Sequence, residues 1–200
     1  MKYPNWFNQS TAQENFNFFL SGMKDFPVQI LQIGVFTGDA SKWLFKNILT
    51  HPDARLTDVD TWKGSDEEVH DDFDWDDVER TYDAKIEDYY ESGRLIKVRE
   101  TSEDFFKRNL FTYDFIYVDG AHDALSVFND GISAWDCLNE GGILAFDDYT
   151  WDSGKGDFFN PRDGVDGVYV THKDDMVILY AGAQVWLQKI TQPKMLIEGI

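Results

Sequence analysis

Two apolar runs in this chain end abruptly in carboxylates. Residues 113–123, YDFIYVDGAHD, pass from Phe115-Ile116-Tyr117-Val118 to Asp119, Gly120 and His122. Residues 142–149, GILAFDDY, pass from Ile143-Leu144 to Asp147 and Asp148. A short continuous apolar run bounded by turn residues is a strand buried on both faces, and such strands belong to parallel sheets covered by helices. In open sheets of that kind ligands sit beyond the carboxyl ends of the strands. The placement of the acids therefore predicts a site at that edge.

The rest of the chain alternates in the same sense. Thr11-x-x-Glu14 reads as a capping box opening a helix that carries Phe16, Phe19, Leu20 and Met23, closed by Gly22 and Pro27. Strands are predicted at 28–34, 55–62 and 94–100, and a helix at 39–48 with Ala40, Trp43, Leu44 and Ile48 on one face. Ser102 is placed to cap a helix over 103–110, and residues 123–138 predict another, which Asn139-Glu140-Gly141-Gly142 breaks before the fifth strand. Two β-rich runs around Ala181-Gly182-Ala183 predict a terminal antiparallel hairpin. The pattern is α/β and doubly wound, its sheet mainly parallel with a C-terminal antiparallel hairpin. Without repeat or linker, residues 1–200 are expected to form one domain.

A chain of 200 residues can bury a core without staples. Its one cysteine, Cys137, allows no internal disulfide, implies a reducing compartment and is read as small core filler. No signal peptide and no apolar run of ~20 residues is visible, so a cytoplasmic protein is expected. The net charge of −19 argues against nucleic acid or an anionic membrane as partner. Residues 66–91 hold thirteen acids against Arg80 and Lys85, a net −11. They read as a solvated, partly helical insertion at about 64–92 rather than a metal or partner site. Phe73, Trp75, Val78, Tyr82, Ile86 and Tyr89 fit one helical face that packs.

Gly34 and Gly38 stand between a strand and a helix, where a backbone without Cβ can turn tightly and approach a ligand. The spacing is Gly-x-x-x-Gly, not the Gly-x-Gly-x-x-Gly of dinucleotide sites, which disfavours NAD. Asp60 ends the second strand, where a carboxylate can accept ribose hydroxyls. Together these predict a nucleoside-containing cofactor.

The blocks ILQIGVFTGDAS, TDVDTWKGS, DFIYVDGAHDALSVFNDGISAW and LNEGGILAFDDY occur in this order across residues 28–190. They resemble the class I S-adenosylmethionine-dependent methyltransferases, most closely the small-molecule O-methyltransferase branch that includes macrocin O-methyltransferase and cephalosporin hydroxylase-like proteins. The resemblance implies a Rossmann-like seven-stranded sheet and S-adenosylmethionine as cofactor. Gly34 and Gly38, with Gln32 and Asp119 beside them, would face its methionine part. Asp60 would hold the ribose with Trp62 close by, and Thr101 and Ser102 would reach the adenine edge. Trp62 also reads as core, and Ser102 as a helix cap. Gln32 stands where the family usually has an acid, so either cofactor affinity is weakened or another acid, such as Asp39 or Asp119, compensates.

Asp119, Asp147 and Asp148 would repel one another unless a cation offset them; the alternative is that Asp148 caps the turn and Asp147 only orders the loop. Hard oxygen ligands suit Mg²⁺, Mn²⁺ or Ca²⁺, and similar metal-dependent O-methyltransferases place acids at these positions. His122 can act as general base, cap the helix or support the metal ligands; His51, His70 and His172 read as surface residues. The expectation is a metal-assisted O-methyltransferase for a small hydroxylated molecule, with Lys155 and Arg162 of residues 150–164 available to the acceptor and a homo-oligomer left open. The rivals are a regulatory S-adenosylmethionine-binding module, prompted by Gln32, and, less favoured, an NAD-dependent oxidoreductase. A nucleic-acid methyltransferase is disfavoured by charge and by the lack of an Asn-Pro-Pro-Tyr-like motif after the fourth strand.

Overall fold

The computed structural model describes residues 2–65 and 72–191. Its strands are β1 (Gln29–Ile33), β2 (Arg55–Asp60), β3 (Leu95–Arg99), β4 (Tyr113–Val118), β5 (Leu138–Phe146), β6 (Met176–Ala181) and β7 (Val185–Lys189). Its α-helices are α1 (Trp6–Gln9), α2 (Ala12–Phe19), α3 (Asp39–Asn47), α4 (Trp75–Glu91), α5 (Ser102–Arg108), α6 (Ala124–Asp136) and α7 (Pro161–His172). The seven strands form one sheet in the order β3-β2-β1-β4-β5-β7-β6. The first five are parallel, and β7 runs antiparallel to β5 and β6. This is the mainly parallel sheet with a terminal antiparallel hairpin that the pattern predicted.

Each strand feeds two cores because successive side chains point to opposite faces. Phe115 and Tyr117 join Phe16, Leu44, Tyr82 and Trp186 on one face. Ile116 and Val118 join Phe105, Val127, Trp135 and Val168 on the other. With both faces covered, the polar ends of the central strands are where the sheet meets solvent. Among the described residues no helix is long and apolar enough to cross a membrane.

The acidic segment supplies the β2-to-β3 crossover. Asp74 caps α4 by accepting from Asp77 N at 3.2 Å, and Asp76 and Asp77 sit in its first turn, where the helix dipole favours them. Val78, Tyr82 and Ile86 are buried at helical spacing. On its outer side Glu79 and Asp83 lie 2.7 and 2.6 Å from Lys97. Residues 66–71, with His70, lie outside the described residues.

Local details depart from the expectation. Thr11 stands at the start of α2 but makes no side-chain cap; Ser10 Oγ accepts from Ala12 N instead. Thr101, not Ser102, caps α5, accepting from Asp104 N at 3.2 Å. Residues 139–142 lie inside β5, which begins at Leu138 and takes up the extra length as a register irregularity against β4. Helix α7 takes in Arg162 and the end of the 150–164 stretch, and packing on α6 overrides the low helix propensity of Gly164 and Gly167. His172 is half-buried and stacks on Trp135 at 4.9 Å rather than lying free at the surface.

Candidate active site

The turn after β1 is built by its glycines. Gly34 has φ +82°, and a Cβ there would lie 1.9 Å from the Asp119 carbonyl oxygen. The ends of β1 and β4 can touch only with glycine at this position. Gly38, at φ +76°, opens α3 against the Tyr82 ring. Asp60 holds the turn from β2: its Oδ2 accepts from Val35 N (2.7 Å) and Phe36 N (3.0 Å), and its Oδ1 from Trp62 N (2.7 Å). Thr37 donates to Asp39 Oδ2 at 2.8 Å, and Lys85 of α4 lies 2.7 Å from the same carboxylate.

Beneath the turn lies a buried polar cluster. Gln32 Nε2 donates to Ser41 Oγ at 2.9 Å and to Asp58 Oδ1 at 2.8 Å, and the Tyr82 hydroxyl donates to Asp58 Oδ2 at 2.8 Å. Burial pushes the Asp58 carboxyl up to about 6, against the opposing pull of Gln32, Ser41 and Tyr82. The Gln32 amide nitrogen is thus committed to the interior. Trp62, 1% exposed and at φ 47°, donates its indole N–H to the Phe36 carbonyl at 3.0 Å and braces the turn from the core. Phe36, itself at φ 50°, stacks on Trp6 at 4.5 Å, and Tyr3, Phe73 and Trp75 surround it. Ser102 faces Asp130 of α6; burial raises that carboxyl to about 6, while Ser102 pulls it back.

The carboxylates after β4 and β5 divide into two settings. His122 Nε2 lies 3.2 Å from Asp148 Oδ2 and 4.0 Å from Asp119 Oδ1. One ligand atom from each of Asp119, His122 and Asp148 lies within 4.8 Å of the others. Asp147, also expected among the ligands, accepts the Tyr117 hydroxyl at Oδ2 and the Asp148 amide at Oδ1. Withdrawal from water and the nearby Asp147 and Asp148 push the Asp119 carboxyl well above its ordinary range, while His122 pulls it back. Its side chain is still 35% exposed, so the repulsion between carboxylates is the cause that a cation would answer.

A sequence model described as a methyltransferase domain matches residues 31–149. The chain belongs to the methyltransferase-domain family. No curated protein matches it closely. Among solved structures, a candidate rRNA methylase of Clostridium thermocellum aligns with a TM-score of 0.67 and 11% identity, over 92% of this chain and 98% of that one. The O-methyltransferase of Bacillus cereus in complex with S-adenosylhomocysteine aligns at 0.59 and 16% identity, over 91% and 82%. The O-methyltransferase TomG of Streptomyces achromogenes, involved in tomaymycin synthesis and bound to S-adenosylmethionine, aligns at 0.58 and 16%, over 95% and 91%. At such identities the likeness is one of fold. The methyltransferase domain carries three residues that sequence reasoning passed over, Asp58, Tyr117 and Gln184. An acid between Thr57 and Val59, inside a strand expected to be buried, was the one visible signal.

Proposed function

We propose that this chain transfers the methyl group of S-adenosylmethionine to a hydroxyl oxygen of a small acceptor, with a divalent cation at the strand ends. The observation that carries the reading is the convergence of Asp119, His122 and Asp148 at the C-terminal edge of β4 and β5, next to the Gly34 turn. S-adenosylmethionine, when bound, supplies a methyl group on a positively charged sulfur. The residues present fit it. Gly34 and Gly38 offer backbone without Cβ, and Asp119, whose backbone carbonyl packs on Gly34, is the acid we assign to the cofactor's ammonium. A carboxylate has about four acceptor positions, and backbone amides occupy three at Asp60. We therefore assign Asp60 one ribose contact and, above all, the shape of the turn. Thr101 spends its hydroxyl on the α5 cap and Ser102 lies beside the Asp130 carboxyl, which leaves mainly backbone for the adenine.

Asp119, Asp148 and His122 would hold the cation, which supplies Lewis acidity that lowers a hydroxyl's pKa. Two carboxylates with one imidazole favour Mn²⁺ over Ca²⁺. A second reading of His122 rests on its 3.2 Å approach to Asp148, the relation by which a carboxylate orients a general base. His122→Ala separates the two. Lost Mn²⁺ binding marks a ligand; retained binding with lost turnover marks a base. The charge of −19 favours a small acceptor over RNA.

Calorimetric titration with S-adenosylmethionine, S-adenosylhomocysteine and NAD, each with Mn²⁺ and with EDTA, tests the proposal. Binding of the first two and not of NAD is expected. Failure of both to bind removes the cofactor assignment, and methyl transfer in excess EDTA removes the cation.

A further inference from the structure

Asp147 is the acid that the cluster leaves out, and its partners explain why. It ends a buried chain of polar groups that starts on the hairpin. Trp186 Nε1 donates to Gln184 Oε1 at 3.0 Å, and Asn15 Nδ2 of α2 donates to the same oxygen at 2.8 Å. Gln184 Nε2 donates to the Tyr117 hydroxyl at 3.3 Å, and that hydroxyl donates to Asp147 Oδ2. Gln184 and Trp186 are completely buried and Tyr117 is 2% exposed, so no bulk water competes along the chain.

The chain has a direction that chemistry imposes. An indole N–H can only donate. The Gln184 atom facing it must therefore be the carbonyl oxygen, which turns the amide nitrogen to Tyr117. The phenol oxygen then receives one proton and must place its own on Asp147. Reversing any link sets donor against donor in a site where an unpaired polar group is costly. At the far end, Asp147 Oδ1 accepts the amide of Asp148 at 2.8 Å. Asp148 is one of four non-glycine residues with positive φ among the described residues, at +56°, a conformation that persists only where surroundings hold it.

We infer that Asp147 is a positioning residue. The relay Trp186–Gln184–Tyr117 fixes its carboxylate, its carboxylate holds the left-handed turn at Asp148, and that turn aims Asp148 Oδ2 at His122. The consequence for a cation rests on the proposed function; the relay itself does not.

The test follows the Asp148 amide by NMR in ¹⁵N-labelled protein, comparing the unmodified chain with Tyr117→Phe. Loss of the hydroxyl should move the Asp148 resonance and speed its hydrogen exchange, while β4 amides stay protected. Mn²⁺ affinity, read by electron paramagnetic resonance, should fall about 10–100-fold, as for other groups that orient metal ligands. An Asp148 amide indifferent to the hydroxyl overturns the inference, whatever Mn²⁺ does. An unmodified chain that binds no Mn²⁺ removes the cation from the proposed function, and the amide then decides the relay alone. Should Tyr117→Phe not fold, Asp147→Asn sets an NH₂ group against the Tyr117 oxygen at a half-buried position and carries the same readings.

Discussion

The Tyr82 hydroxyl of α4 donates to Asp58 Oδ2 of β2 at 2.8 Å, tying the crossover helix to the strand before it beneath the glycine turn. Because the same ring closes on Gly38, the contact links a buried acid to the shape of the site. Burial raises the folded-state pKa of Asp58 to about 6, above the ~3.9 of an unfolded chain. An acid shifted upwards contributes stability that is fully present below the unfolded value and is lost as pH rises through the folded one. Two units correspond to about 3 kcal/mol. Asp58→Asn keeps the shape and removes the titration, so its stability relative to the unmodified chain should rise by up to that amount between pH 4 and pH 7. Urea unfolding of both proteins at several pH values measures this, and parallel profiles would contradict it. Asp130, raised to about 6 as well, is common to both proteins and cancels.

Gly34 and Gly38 should not tolerate alanine equally. At Gly34 the new methyl meets backbone at 1.9 Å, whereas at Gly38 it meets the Tyr82 ring at 2.7 Å, which can swing. Positive φ costs a non-glycine residue about 1–3 kcal/mol, and overpacking a similar amount. Gly34→Ala should lose about 3–5 kcal/mol and displace Asp119, with Gly38→Ala losing about half as much. Equal losses in chemical denaturation would show that the close approach of β1 and β4 is unimportant.

Asp60→Ala removes the acceptor of three backbone amides in the turn. S-adenosylhomocysteine affinity should fall at least tenfold by calorimetry. Charge-assisted bonds contribute about 1.5–3 kcal/mol each when made, so the melting temperature should fall too. Unchanged affinity would remove Asp60 from the cofactor site.

A cation that binds only the folded cluster stabilises it by mass action, about 2.7 kcal/mol at a hundred times its dissociation constant. For a chain of this size each kcal/mol is worth roughly 2–4 °C. Mn²⁺ should therefore raise the melting temperature by about 5–10 °C, and Asp148→Ala should abolish the rise. A melting temperature indifferent to Mn²⁺ in the unmodified chain would remove the cation.

Much of this arrangement was legible in residue order, because it follows from short-range rules. Apolar runs such as Phe115–Val118 must be buried, acids that end them must sit at the sheet edge, and the spacing of Val78, Tyr82 and Ile86 must put one face of α4 on the core. Those rules placed Asp119, Asp60 and the glycine turn, and the terminal hairpin with them. Which acid faces which neighbour is a different kind of fact. Asp147 and Asp148 are adjacent and chemically alike, and only the Tyr117 hydroxyl from one strand and Gln184 from another separate them. The sequence marks Asp58 only as an acid within a strand; Gln32 and Tyr82, 26 and 24 residues away, decide its setting. Local pattern decides where a side chain lies along an element. Hydrogen-bond direction and burial, set by residues far apart in the chain, decide what it can do there.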